Sequence, residues 1–259
     1  MRQISTILQQ QKEQVEALQR QVPSLEATFH RMKALGAVIS TVLDIGACRG
    51  DWTRAARKSL PDAAFTLVEP IEYPELLAAD LRGCAVHHAL LYRHECEVDW
   101  YSLRNTGDSI YKERTQAYAG VEPRRRSATT LEALLGARAS FDLIKLDVQG
   151  AEIDVMKGGE ALVRRAAFVL LEVPFMGQYN AGAASFLQVI AYMDSLGFVP
   201  FDVPELHREV CVLLQMDIVF VRRDHPVAAQ AQRAIESFVV LPESNQPAGK
   251  AADAVDVAL

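Results

Sequence analysis

Cysteine is scarce and scattered: Cys48, Cys84, Cys96 and Cys211 form no Cys-x-x-Cys pair and no Cys/His grouping with metal-ligand spacing. That excludes a disulfide-held scaffold and a zinc motif, and no metal site is expected. Long apolar runs are missing too. No stretch reaches the ~18 apolar residues of a membrane-spanning helix, and the first residues are glutamine-rich and charged rather than basic and then apolar. A soluble, cytoplasmic chain with no membrane partner is expected. Positive charge is in short supply, since 27 Lys and Arg face 33 Asp and Glu for a formal net charge of −6. Apart from the local cluster Arg124-Arg125-Arg126, no basic field draws in nucleic acid, which is not an expected partner.

Half of the 259 residues are apolar, enough to bury a substantial core in one domain with additions at its ends. Residues 1–36 read as a helical extension, 37–225 as the core domain and 226–259 as a C-terminal extension. After Leu241 the chain turns rich in Pro, Ser, Asn, Ala and Asp without a bulky apolar face, and that tail is expected to be disordered. Near the start, Met1, Ile4, Leu8, Val15, Leu18, Val22 and Leu25 keep an a/d spacing that Gln11 interrupts. Two readings stay open: a coiled-coil seam for a homodimer, or an amphipathic cap packed on the core. Pro23 breaks the helix, and a second one is expected from Ser24 to about Leu35 with Leu25, Phe29 and Met32 inward.

From Val38 to about Arg222, apolar runs alternate with helical segments, the pattern of a parallel sheet covered on both faces. The expected strands are Val38–Ile45, Phe65–Glu69, Ala85–Leu91, Leu143–Val148 and Phe168–Val173. Helices are expected near Asp51–Leu60, Pro74–Leu81, Thr130–Leu135, Ala151–Val163 and Ala184–Leu196. Phe198–Val203 and Met216–Val221 read as a closing antiparallel pair, and Cys96–Leu103 as part of a short strand pair outside the rhythm.

The first strand delivers Asp44 to the turn Gly46-Ala47-Cys48-Arg49-Gly50 and then to a helix that Asp51 is placed to cap. Gly46 and Gly50 permit positive φ and close approach of a ligand to the backbone. The next strand ends in Glu69-Pro70, at the separation expected of an acid that accepts hydrogen bonds from ribose hydroxyls. A dinucleotide enzyme would show Gly-x-Gly-x-x-Gly, but Cys48 stands at the middle glycine. Asp44 would repel a pyrophosphate and attract a ligand with a cationic amino acid end. S-adenosyl-L-methionine, with its sulfonium and ammonium, fits that charge.

Further motifs follow in order: Gly107-Asp108-Ser109-Ile110-Tyr111, Thr130-Leu131-Glu132-Ala133-Leu134, Ile144-Lys145-Leu146-Asp147-Val148-Gln149-Gly150-Ala151-Glu152, and Met216-Asp217-Ile218-Val219-Phe220-Val221. With the turn and Glu69-Pro70, they resemble the FkbM-type family of class I S-adenosylmethionine-dependent methyltransferases from about Val42 to Val221. The resemblance implies a Rossmann-like α/β sheet of seven strands with the last antiparallel and helices on both faces. It also implies transfer of a methyl group, expected at a hydroxyl of a small-molecule or sugar acceptor. Gln149 stands where the family usually has Glu, and Glu132 where it usually has Asp.

Methyl transfer needs alignment of donor and acceptor, and O-methylation gains from a base or metal that lowers the hydroxyl pKa. Asp147, at the end of an apolar strand beside the expected crevice, is the first candidate for base, acceptor contact or cation ligand. Glu172, at the next strand end, is the second, and the pair could share a proton or hold a divalent cation. Each could equally cap a helix or pair with a basic side chain. Lys145 is expected to bridge to Asp147 two residues on. Glu152 suits the first turn of its helix through the macrodipole alone. His87 and His88 read as packed strand residues, whereas His94, in the loop beyond, is better placed to reach the crevice. Ala89-Leu90 should border the adenine ring. By resemblance, Ser109 and its loop touch the cofactor or lid the site. Two other readings remain: a nicotinamide-dependent oxidoreductase, which the missing glycine disfavours, and a non-catalytic assembly module that keeps the fold.

Overall fold

The computed structural model describes residues 22–177 and 179–238. The coiled-coil reading before Val22 and the tail beyond Leu241 lie outside the described residues. Helix α1 (Leu25–Ala34) starts where Ser24 accepts a hydrogen bond from Ala27 N. It lays Phe29 and Met32 against the same apolar cluster as the central strands, with Leu25 packed at its edge.

Strands β1 (Thr41–Ile45), β2 (Ala64–Val68), β3 (Ala85–His87), β6 (Leu143–Leu146), β7 (Phe168–Pro174), β8 (Phe198–Glu209) and β9 (Val212–Arg222) form one sheet. Its order is β3-β2-β1-β6-β7-β9-β8. Neighbours are parallel except at β9, which runs antiparallel to both β7 and β8. The seven-stranded, Rossmann-like sheet with its last strand antiparallel is therefore present, and that strand lies between β7 and β8.

Side-chain alternation sorts the strands into two layers. Val42, Leu67, Leu143 and Leu170 face one apolar cluster with α1, α2 (Asp51–Ser59) and Val227. Leu43, Ile45, Ile144 and Leu171 face the other. That second layer holds Val155 and Met156 of a helix α4 (Glu152–Lys157), Leu162 and Val163 of α5 (Glu160–Arg165), and Val189 and Met193 of α6 (Phe186–Ser195). Burial on both faces is why these strands read as continuous apolar runs. Helix α3 (Leu131–Leu135) starts at Thr130, whose side chain caps Ala133 N, and α7 (Pro226–Phe238) follows β9.

Several expected elements differ in detail. Pro74–Leu81 is two 3-10 turns, Pro74–Leu77 and Ala79–Leu81, because Ala78 between them is extended. Ala151–Val163 is interrupted at Gly158–Gly159, where the Tyr92 carbonyl crosses so closely that a Cβ on Gly158 would lie 2.3 Å from it. β3 stops at His87, and Leu91 makes only an isolated bridge to Thr129. The β8–β9 hairpin runs well past the expected pair, since Glu205–Arg208 is mostly polar, largely exposed strand without an apolar run to announce it. Strand β4 (Cys96–Trp100) pairs antiparallel with β5 (Arg124–Ala128) in a separate small sheet. There Arg125 binds Asp99 and the Glu97 carbonyl, and Arg126 reaches the Pro70 carbonyl across the Trp100 ring.

Candidate active site

β1 and β6 lie side by side at the point where the strand order reverses, so their carboxyl ends border the crevice in which open α/β sheets hold ligands. A cleft with about 580 Å³ of empty space opens there. Its walls come from Gly46 and Cys48 after β1, Glu69 and Pro70 after β2, Ala89 and Leu90 after β3, Asp147 and Gln149 after β6, and Asp108 and Ile110 from the loop after β4.

The glycines of the turn serve the chain as much as any ligand. Gly46 has φ +77°, and a Cβ there would fall 1.9 Å from the Asp147 carbonyl oxygen. The turn can therefore lie against the β6 loop only without a side chain. Gly50, at φ +85°, is itself the N-cap of α2, while Asp51 is the first helical residue and pairs with Arg54. The expectation that Asp51 caps the helix is thus corrected: its carboxylate faces solvent.

Glu69 is 6% exposed, and its carboxylate accepts from Cys48 N and Ile71 N, both at 2.9 Å. Burial pushes its pKa above the ordinary carboxylate value, and the two backbone donors work against that rise. Each oxygen keeps a second acceptor site.

Asp44 lies elsewhere than expected. It is fully buried, accepts from Thr53 Oγ1 at 2.6 Å, and faces Lys145 Nζ at 3.4 Å. It lies beneath the turn rather than on the cleft wall, and neither Ala47 nor Gly50 of the turn is on that wall. Lys145, 3% exposed, also reaches Asp147 Oδ2 at 3.3 Å, as the strand alternation predicts. Burial opposes its charge, but Asp147 and Asp44 outweigh that and hold its pKa above the ordinary lysine value.

Asp147 stands at the cleft with its side chain 33% exposed. The carboxylates of Asp147 and Glu172 are linked through a third side chain. The Gln149 amide lies between them, donating to Asp147 Oδ1 at 2.8 Å and Glu172 Oε2 at 2.7 Å. Gln149 is held in the left-handed region at φ +55°, its carbonyl accepts from Ser109 Oγ at 2.9 Å, and its side-chain oxygen accepts from Tyr179 Oη at 3.0 Å. Four partners hold a backbone conformation that costs a non-glycine residue ~1 kcal/mol or more. Glu172, which also accepts from the Gln215 amide, has its pKa driven well up by burial and then by Asp147, Glu152 and Asp217.

Glu152 does more than complement a helix dipole. It is 4% exposed and accepts from Val148 N at 3.0 Å and Gly150 N at 3.1 Å, closing the loop that carries Gln149. Burial pushes its pKa up to about 7. Ser109 is buried against that loop and braces it, while its neighbours Asp108 and Ile110 line the cleft. His94 is exposed, sits edge-on to Tyr92 with ring centroids 5.3 Å apart, and is not on the cleft wall. A glutamine was a poor sequence candidate for the link between two acids. Tyr73 and Trp100, which also line the cleft, carried no motif to mark them.

A profile described as the methyltransferase FkbM domain matches residues 44–200. No curated protein matches the chain. Among solved structures, a Burkholderia thailandensis 1,6-didemethyltoxoflavin-N1-methyltransferase, bound to 1,6-didemethyltoxoflavin and S-adenosylhomocysteine, is similar at 13% identity and a TM-score of 0.43. That match covers 84% of this chain and 86% of the other. A magnesium protoporphyrin IX methyltransferase from Synechocystis with bound S-adenosylmethionine matches at 12% identity and a TM-score of 0.41, covering 76% of each chain. With the profile spanning more than half of its residues, the chain belongs to the FkbM-domain methyltransferases, enzymes whose cofactor is S-adenosyl-L-methionine.

Proposed function

We propose that the chain methylates a hydroxyl oxygen of a small-molecule or sugar acceptor, with the adenosyl end of the donor in the cleft and Asp147 facing the acceptor. The observation that carries this is one continuous wall: Glu69, with an acceptor site left on each oxygen, opposite Asp147, whose carboxylate is already pinned on both oxygens.

In this reading Glu69 holds the ribose hydroxyls, Cys48 and Pro70 flank them, and Ala89 and Leu90 supply the apolar border of the adenine. When bound, the donor supplies a methyl carbon activated by its sulfonium. The protein's own work is then to orient the acceptor and take its proton. Lys145 and Gln149 keep Asp147 in one orientation. Glu172, with its raised pKa, is the poorer base at first contact and serves to anchor the Gln149 amide.

Incubation with isotopically labelled S-adenosylmethionine and a panel of hydroxylated sugars and polyketide-like alcohols tests the reading. Label is expected in an ether product, with nanomolar-to-micromolar calorimetric binding of donor and product. Methylation confined to nitrogen or carbon would overturn the acceptor assignment. Binding of a nicotinamide cofactor, with none of the methyl donor or its product, would overturn the whole reading.

A further inference from the structure

Beyond the Gln149 bridge, a second group of ligand-type side chains gathers on the same face of the sheet. Glu172 lies opposite Asp217 in the β7–β9 ladder, and His207 lies opposite Gln215 in the β8–β9 ladder. Asp217 and Gln215 are two residues apart on β9 and share a face. Three adjacent strands, about 4.8 Å apart, thus present Glu172, Asp217 and His207 together. One donor atom from each falls within 4.8 Å of the other two. His207 Nε2 stands 3.8 Å from Asp217 Oδ1.

Three carboxylates, those of Glu172, Asp217 and Glu205, gather around the one imidazole of His207. Asp217 is only 9% exposed, yet among the described residues its carboxylate accepts no hydrogen bond closer than that 3.8 Å approach of His207. Glu205 adds a further carboxylate 3.9 Å from His207. Lys145, the buried cation on this side, is committed to Asp44 and Asp147. Buried carboxylates are ordinarily paired or bound to a metal.

We propose that Glu172, Asp217 and His207 form a binding site for one divalent first-row cation, on the acceptor side of the cleft and one glutamine side chain away from Asp147. One imidazole nitrogen with two carboxylates suits manganese or zinc better than magnesium, which prefers oxygen donors and keeps its waters. Ligand bonds of ~2.0–2.2 Å require the three donors to close by less than about 1 Å. The Gln215 amide, which now donates to Glu172, is the group a cation displaces. The three protein ligands leave positions open for water or an acceptor oxygen, whose pKa the cation lowers. That catalytic use rests on the function proposed above, whereas binding of the cation does not.

The test uses the full chain, stripped with a chelator and titrated with manganese(II) chloride, free ion being read by electron paramagnetic resonance, and separately with zinc chloride by calorimetry. One equivalent is expected to bind, at least tenfold more weakly to His207→Ala and to Asp217→Asn, and unchanged to Glu205→Gln. If Asp217→Asn fails to fold, as judged by circular dichroism, His207→Ala and His207→Gln decide, because His207 is half-exposed on the hairpin. Absence of binding by the unmodified chain would overturn the proposal, and so would binding that neither histidine substitution weakens. Methyl transfer is not part of the readout, so a cation site can fail while the methyltransferase reading stands, and the reverse.

Discussion

The two halves of the cleft are built by opposite means. On the β1–β2–β3 side the walls are backbone turns and apolar side chains, and the Glu69 carboxylate is tied by two backbone amides. On the β6–β7–β9 side Asp147, Glu172, Glu152 and Asp217 crowd around one buried lysine and two glutamines. The first half can be shaped by short contiguous segments, because a strand end and its turn place their own backbone donors. The second cannot. Glu152 still takes backbone amides of its own loop, but Asp147 and Glu172 are tolerable because side chains from different elements partition the charge, with Lys145 held charged and Glu172 pushed toward its neutral form.

Substitutions sharpen that contrast. Asp147→Asn, on the crowded side, is expected to lower kcat by roughly 10²–10⁴-fold, the usual weight of a general base, while calorimetric affinity for the donor moves little. A large loss of donor binding instead would erase the division between the halves. Gly46→Ala strikes where the halves touch. Its methyl meets the Asp147 carbonyl and its φ is positive, so thermal melting should show a loss of at least ~3 kcal/mol. An unchanged melting temperature would mean that the two loops are not packed as described.

Glu152→Gln reads the stored charge directly. Burial raises the folded-state pKa of Glu152 from 4.5 to about 7, so the native state keeps a proton that the unfolded chain releases. Its stabilising effect is full below pH 4.5 and disappears as pH rises to about 7, an effect on the order of 3 kcal/mol. The wild type should therefore lose stability relative to the Gln variant between pH 5 and pH 8, measured by urea unfolding. Parallel pH profiles for the two proteins would refute it. On the quieter side, Glu69→Gln keeps the shape but loses charge-assisted bonds, and donor affinity is expected to fall about 10–50-fold with kcat nearly unchanged. A fall in kcat alone would place Glu69 with the chemistry rather than with the donor.

The sequence was most legible where structure is local. The apolar runs mark β1, β2, β6 and β7 because those strands are buried on both faces, and Lys145 was paired to Asp147 by strand alternation alone. Asp44 shows the limit. Its position in the motif is plain, but whether it faces a ligand or Lys145 depends on which strand lies beside β1. His94 lies off the cleft wall because its loop turns its ring onto Tyr92, a choice made by packing. Gln149 went unrecognised as a bridge because nothing in its neighbours says that its backbone will be left-handed.

What the sequence by itself determined is therefore the alternating sheet, the turn after β1, and the acid after β2, since each depends on residues a few positions apart and on a fixed strand or turn period. Only the tertiary structure decided the β6–β7–β9 side of the cleft. Inserting β9 between β7 and β8 is what sets Glu172, Asp217 and His207 on one face, and no spacing along the chain encodes which strands become neighbours. That choice belongs to the burial of both sheet faces at once, a property of the whole chain.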